Sequence, residues 1–597
     1  METLRDLFEH IVTTNPSGKE LLRTRAGRDW RGYTVVEFAD ATRHTAARLA
    51  QAGIEKGDRV ALFAENRPEW HIIDFACHLL GAVLVPLYPS LPANQVQYIV
   101  ADSGAKMLLV SGKDRARTAA DAGAQLPGVR IVGIDPGLAN GLPALQELPG
   151  LPGGIDALPQ PALRADELAS LIYTSGTTGE PKGVMLSHRN FVSQITSLRP
   201  EYPITDADDT LSFLPLSHIF QRILDYLFLY CGCRITYVEA VERVSMMLPL
   251  VQPTILASVP RVYERAYVQV LARVQKEGGA KQRLFTWALR AGRAVKAAEW
   301  AGRRPPLLAR LQYALARRLV FSKILERFGG RLRFSVSGGA PIAREIAEFF
   351  DIVGLPVLNG YGLTESAPVI AVNRLESNKL GSVGLAPPGV EVKIAPDGEI
   401  LARGPNIMMG YWNKPEATAE AIDAGGWLHT GDIGHLDEQE FLFITDRKKD
   451  LIVTTGGKNV APQPIEARLA ASPFVAQAVA IGDKYPYLVA LVVPNFEAVE
   501  ARLAEQGTNG ALSHEAIAAH PVTEALIAST VKEINADLAA YERIRRFTVL
   551  PKEFTLDAGE ITPTLKVRRK VIMQRYGDII EQMYLKSHRT GEYGLDD

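Results

Sequence analysis

Along the first hundred residues, apolar side chains recur at two alternating spacings. Val35, Val36, Phe38, Ala39, Ala46 and Leu49 fall at helical spacing and predict a helix over residues 34–51. Strands are expected at 59–63, 83–85 and 106–110. Helices are expected at 70–80, with Asn66 as cap, and through Val96 and Ile99. This alternation implies a wound α/β layer on a largely parallel sheet. The Gly-, Pro- and Leu-rich stretch 137–161 reads as connector. Leu168, Leu171 and Ile172 form a buried strand that enters a loop, and a helix opens at His188-Arg189-Asn190. The strand-then-turn pattern repeats at Leu211 to Pro215, Leu332 to Val336 and Val357-Leu358. Hairpins are expected at 390–404, turning at Asp397-Gly398, and at 434–445, turning at Asp437 to Glu440. Beyond residue 451 the pattern predicts a helix at 463–471, strands at 476–481 and 487–493, and a helical insertion at 517–541.

Composition narrows this picture. At 597 residues the chain exceeds what a single core supports, so at least two domains are expected. Apolar content of 47%, charged content of 22% and mean hydropathy near zero describe an ordinary globular protein. A net charge of −1 argues against nucleic acid as a partner. Cys77, Cys231 and Cys233 make an odd number, which suits a reducing cytoplasm. Cys231 and Cys233 lack neighbours at metal-ligand spacing and read as packing residues. Charges at Glu2, Arg5, Asp6 and Glu9 speak against a signal peptide. The longest uncharged run, 75–101, is broken by Pro86, Pro89 and Pro92, so no membrane span is expected. Residues 273–333 hold 16 Lys and Arg against 3 Asp and Glu among Ala, Leu and Trp. They read as a solvated helical face or as a peripheral contact with an anionic membrane.

Candidate chemistry concentrates at the strand ends. Tyr173 to Arg189 holds Thr174, Ser175, Gly176, Thr177, Thr178, Gly179, Pro181, Lys182 and Gly183. Glycines free backbone N–H groups, hydroxyls add donors and a lysine adds charge, which together suit a polyphosphate. The short glycine spacing and the missing Lys-Ser/Thr pair set it apart from a Walker A loop. Ser217 and His218 should reach a sheet edge. In Ser337-Gly338-Gly339-Ala340-Pro341 a glycine turn can aim backbone N–H groups at a nucleotide. In Asn359-Gly360-Tyr361-Gly362-Leu363-Thr364-Glu365-Ser366, Tyr361 offers adenine a face, Thr364 a hydroxyl for phosphate and Glu365 a carboxylate for Mg²⁺. Asp432, expected at a strand end, can accept both ribose hydroxyls. Taken singly, each also suits a turn, a cap or a satisfied core residue. The charged runs 446–450 and 566–570 also suit solvated clusters.

The particular strings resolve more than the composition. Ser175 to Gly183 resembles the signature of the acyl-adenylate-forming enzymes, the superfamily of acyl-CoA synthetases, firefly-type luciferases and peptide-synthetase adenylation domains. Asn359 to Ser366 matches the second signature of that superfamily, and Ile561 to Lys570 is similar to its final motif. LPLSHIFQR at 214–222 and TPTLK at 562–566 look most like the bacterial-type long-chain fatty acyl-CoA synthetases. The resemblance implies a large N-terminal domain, residues 1–446, of wound α/β sheets plus a β-barrel-like part. A hinge at 447–450 and a small mobile α+β C-terminal domain at 451–597 would follow. It implies ATP, Mg²⁺ and coenzyme A as co-substrates and metal, with Glu365 and Thr174 holding the metal. His218 would lie beside the carboxylate and the α-phosphate, with Phe220, Gln221 and Arg222 near the acyl entrance. Asp432 would bind ribose, Arg447 ribose or phosphate, and Lys566 would be the catalytic cation. Lys449 would act as hinge, and Gly456-Gly457 would line the pantetheine passage, while Val453 stands where some relatives carry lysine. The implied reaction joins a long-chain fatty acid to CoA through acyl-AMP in the cytoplasm or on the inner membrane face. The alternatives are a ligase for an aryl, bile or medium-chain acid, a fatty acyl-AMP ligase, and a non-catalytic ATP-binding regulator.

Overall fold

The computed structural model describes residues 1–138, 142–174, 181–448, 451–455, 458–507, 512–555, 558–561 and 567–585. The apolar runs of the first half become strands buried on both faces. Arg59–Phe63, Val83–Leu87 and Met107–Val110 are parallel neighbours, as expected where helices cover both sides of a sheet. They belong to a seven-stranded sheet in the order Gly410–Tyr411, Lys182–Ser187, Leu168–Thr174, Val83–Leu87, Arg59–Phe63, Met107–Val110, Arg130–Gly133. A second sheet of eight strands runs Val369–Val372, Val357–Gly362, Phe334–Ser337, Ile255–Ser258, Asp209–Ser212, Arg234–Tyr237, Glu20–Ala26, Asp29–Thr34. One continuous core joins them, with Phe8, Phe38, Trp70, Phe75, Tyr226 and Phe334 packed between. Helices Pro68–Leu80 and Ile219–Tyr230 are embedded in it.

The outer face of the eight-stranded sheet is covered by helices Pro260–Glu277, Gly279–Trp300 and Arg344–Val353. The part expected to be barrel-like is a four-stranded antiparallel sheet, Glu391–Ile394, Glu399–Arg403, Leu428–Leu436 and Leu442–Arg447. In the C-terminal part, Val475–Ile481, Leu488–Pro494 and Ile544–Val549 form a mixed sheet with a helical layer on each face.

Several elements differ from the sequence reading. The helix over 34–51 forms as Val35–Gln51, closed by a reciprocal Thr34/Glu37 cap. Asn66 does not cap the next helix, which starts at Pro68 with no side-chain cap. Its amide instead donates to Leu214 O (2.7 Å) and accepts from Leu216 N (3.1 Å). The loop after Thr174 does not lead directly to a helix, because Lys182–Ser187 returns as a strand antiparallel to Leu168–Thr174. The strand expected to reach Pro215 stops at Ser212. The C-terminal layer holds a helix, Phe496–Glu505, outside the expected set, and the insertion at 517–541 is a helix pair, His514–Ala518 and Pro521–Ala536.

Candidate active site

The parallel strands of the eight-stranded sheet end along one edge, and the candidate residues gather there. Strands Phe334–Ser337 and Val357–Gly362 are paired with Ser337 beside Asn359. The turn that carries Gly339 and Ala340 therefore opens next to Asn359, Gly360 and Tyr361. This is the carboxyl edge at which open α/β sheets take their ligands. After Gly362 the chain doubles back sharply. A Cβ there would lie 1.6 Å from Pro368 O, so only glycine fits. One 3₁₀ turn, Thr364–Ser366, then presents Glu365.

Two polar clusters result. In the first, Tyr411 Oη donates to Glu365 Oε1 at 2.8 Å, and Lys182 Nζ sits 4.9 Å above the Tyr411 ring. Strand Gly410–Tyr411 pairs with the strand that begins at Lys182, which itself lies opposite Thr174. Thr174, Lys182 and Glu365 are thus tied through a residue absent from the sequence reading. Burial, with Glu365 adding to it, pushes the Tyr411 hydroxyl pKa up, so Tyr411 stays a donor. The carboxylate of Glu365 is half-buried and pairs with no cation among the described residues. No three His, Cys, Asp or Glu side chains there form a metal nest. This donor set fits a Mg²⁺ that arrives with phosphates, because that ion takes one or two carboxylates and draws its other oxygens from phosphate and water.

In the second cluster, Tyr361 Oη donates to Asp432 Oδ2 (2.6 Å) and Arg447 Nε donates to Asp432 Oδ1 (3.1 Å). Burial, reinforced by Asp432, pushes the Tyr361 pKa well up. Asp432 was expected at a strand end but lies within Leu428–Leu436, directly opposite Arg447. Cross-strand pairing, rather than a loop, aims the arginine at the carboxylate. Nearby, Asn359 Oδ1 is buried and accepts no hydrogen bond among the described residues, which suits an incoming amino group.

His218 is the N-cap of helix Ile219–Tyr230, and its Nδ1 accepts from Phe220 N at 3.2 Å. That bond leaves the ring proton on Nε2 in the neutral imidazole. Asn66 fixes the loop that delivers Ser217 and His218. Its role shows only when residues about 150 positions apart meet. The Phe220 ring covers Gly338, where a Cβ would sit 2.9 Å from it. Gln221 and Arg222 do not stand at an acyl entrance. Both are fully buried, in a polar cluster with Asp74, Asp225 and Tyr226. Ser175, Gly176, Thr177, Thr178, Gly179, Lys449, Gly456, Gly457 and Lys566 lie outside the described residues. The bridge Ile561–Val567 flanks the segment that carries Lys566.

The chain is similar to known proteins in sequence and in fold. The AMP-binding enzyme family matches residues 8–412, and the AMP-binding enzyme C-terminal domain matches residues 449–588. The chain is 38% identical to the long-chain-fatty-acid–CoA ligase FadD15 of Mycobacterium tuberculosis over 93% of both chains. It is 32% identical to the peroxisomal long chain acyl-CoA synthetase 6 of Arabidopsis thaliana, over 98% of this chain and 86% of that one. In fold it is similar to the adenylation domain of a carboxylate reductase from Mycobacterium chelonae. The TM-score is 0.78 at 23% identity, covering 98% of this chain and 91% of that one. Two family matches in order, spanning most of the chain, together with relatives above 30% identity over nearly its whole length, place the protein in the AMP-binding enzyme family.

Proposed function

We propose that the protein is an AMP-forming acid–thiol ligase that activates a long-chain fatty acid with ATP and transfers it to CoA. The carrying observation is the row of groups at one sheet edge: among the described residues Glu365 has no cation, Asp432 has two donors, and Asn359 has a buried open oxygen. That row suits a nucleoside triphosphate. The long-chain acid and CoA are carried by the names of the relatives.

In this reading the fatty acid carboxylate, ionised at neutral pH, attacks the α-phosphorus and expels pyrophosphate, so no general base is needed. His218, with its proton on Nε2, orients that carboxylate by donation. Asp432 holds the ribose, and Tyr361 gives adenine a face. Arg447 meets ribose or phosphate, while Thr174, Ser175 to Gly179, Lys182 and Thr364 cradle the phosphates. Bound Mg²⁺, held by Glu365 with Thr174, would offset phosphate charge. Lys566 supplies the cation that stabilises the charge developing at phosphorus. CoA thiolate then displaces AMP, after residues 451–597 rotate about 447–450 with Lys449 as pivot and Gly456-Gly457 lining the thiol's path. No helix among the described residues is long and apolar enough to cross a membrane. The reading places the enzyme in the cytoplasm, with any contact with a lipid surface peripheral.

Pyrophosphate release with palmitate, octanoate and benzoate, each with and without CoA, tests the proposal. Fastest CoA-dependent turnover is expected with palmitate. A preference for benzoate, or acyl-AMP accumulation unaffected by CoA, would replace the reading with an aryl-acid ligase or an acyl-AMP ligase. Lys566→Ala should slow acyl-AMP formation about a hundredfold or more yet still convert supplied acyl-AMP and CoA to thioester. Equal loss of both steps would refute its assignment.

A further inference from the structure

The helical layer outside the eight-stranded sheet carries an apolar row with no partner among the described residues. On helix Leu307–Ala316 and the π turn Arg317–Phe321 that follows it, Leu307, Leu308, Leu311, Leu315 and Leu319 are 71%, 68%, 61%, 49% and 43% exposed. The first four fall within an arc of about 100° on the helical wheel. The opposite side is the packed one: Ala316 and Phe321 are fully buried, and Tyr313 Oη donates to Ile352 O at 3.0 Å. Isolated exposed leucines are ordinary, but five in a row on one face mark an interaction surface.

The charge around that row is one-sided. Between residues 300 and 325 the chain has Arg303, Arg304, Arg310, Arg317, Arg318 and Lys323 and no acidic residue. Ion pairs on the neighbouring helices include Lys296 with Glu299 and Asp351 and Arg293 with Glu348, and none of them uses Arg304, Arg310 or Arg317. Arg304, Arg310 and Arg317 border a concavity of about 470 Å³ between this helix and the preceding one, beside the leucine row; Glu299, the one acidic residue of its lining, is paired with Lys296. We infer that this face docks the enzyme on an anionic phospholipid bilayer, with the leucines entering the acyl layer and the three arginines receiving lipid phosphate. A second copy of the chain fits less well, because a self-complementary contact would bring like-charged arginine rows together. The inference does not depend on which acid the enzyme activates.

Sedimentation of the whole protein with vesicles tests the assignment, using phosphatidylcholine alone and phosphatidylcholine with phosphatidylglycerol. Binding should favour the anionic vesicles by about tenfold or more, and it should fall away at about 1 M NaCl, where the Debye length is about 3 Å. The set Leu308→Gln, Leu311→Gln and Leu315→Gln should lower binding to anionic vesicles by about tenfold or more with an unchanged melting curve, since these side chains are already exposed. The set Arg304→Gln, Arg310→Gln and Arg317→Gln should abolish the preference for phosphatidylglycerol. Wild-type binding indifferent to anionic lipid, or leucine variants that bind as wild type does, would overturn the inference. So would a vesicle-free dimer in sedimentation velocity that the leucine set dissolves, which would assign the face to a second copy.

Discussion

The same three side chains, an aspartate, an arginine and a tyrosine, meet at two places in this molecule. Asp74, Arg222 and Tyr226 lie between the two large sheets, whereas Asp432, Arg447 and Tyr361 lie at the sheet edge where the nucleotide is proposed to bind. Around Asp74 every direction is filled. Arg222 Nη2 donates at 2.5 Å and Tyr226 Oη at 2.5 Å, His78 Nε2 lies 3.1 Å away, and Asp74 and Arg222 are both 0% exposed. Burial alone would push the Asp74 carboxyl up. Arg222, with His71 and His78, reverses this and holds it well below the ordinary carboxylate range. Among the described residues Asp432 has two donors, out of about four acceptor positions on a carboxylate, and its arginine is one-third exposed. The Asp74 carboxylate has no acceptor capacity left, and it ties together two helices packed between the sheets. The open set retains acceptor capacity, and that is what suits it to a ligand.

The contrast breaks most sharply at Arg222. Arg222→Ala leaves Asp74 buried without its counter-charge and should destabilise the fold by about 3–5 kcal/mol, read from urea denaturation. A loss below about 1 kcal/mol would mean that water or the two histidines satisfy Asp74, and that the set is not closed. Asp432→Ala should invert the pattern. Loss of charge-assisted bonds to ribose should raise the KM for ATP about ten- to a hundredfold. The stability loss should be about 1–2 kcal/mol, from the stranded Tyr361 hydroxyl. An unchanged KM would remove Asp432 from the nucleotide site.

Legibility in the sequence divides along the same line. Asp432 and Tyr361 were readable because they sit in short local strings, and the alternating helices and strands of residues 34–110 were readable from local spacing. Arg222 was misplaced at an acyl entrance because its partner Asp74 is 148 residues away and nothing near it in sequence shows burial. A trace existed: His71, Asp74 and His78, at i, i+3 and i+7, form a polar stripe on an otherwise apolar helix, and such a stripe needs a buried partner. Tyr411 lies outside every polar motif and gains its place only when strand Gly410–Tyr411 pairs with the strand after Lys182. That pairing could not be seen because the strand starting at Lys182 read as the end of a loop.

The closed region should also respond to acid, through His188 at its border. His188, stacked edge-on against His78 at 5.5 Å, accepts from Leu4 N through Nδ1. Burial, then the nearby His78 and Arg5, lower its pKa from 6.5 to about 3. The unfolded chain therefore binds a proton here that the folded chain refuses between those values, so stability falls as pH drops through this window. By pH 5 the loss from this one site is about 2 kcal/mol. His188→Gln keeps an acceptor for Leu4 N and cannot titrate. Urea midpoints for the variant should fall less than wild type between pH 7 and pH 5, and parallel curves would show that His188 does not set the response.

The smallest expected effect separates ring from hydroxyl at Tyr361. Tyr361→Phe keeps the flat face proposed for adenine and removes only the donor to Asp432 Oδ2. Arg447 still fixes the other oxygen, so the carboxylate loses one of two anchors. One hydrogen bond of this kind is worth about 1 kcal/mol, so the KM for ATP should rise about fivefold, with kcat nearly unchanged. Tyr361→Leu also removes the ring and should cost more. If the phenylalanine variant matches Asp432→Ala, the hydroxyl rather than Arg447 orients the carboxylate, and the open set is held by a single contact. If it matches wild type, Arg447 alone suffices, and the Tyr361 hydroxyl serves chiefly to satisfy a buried donor.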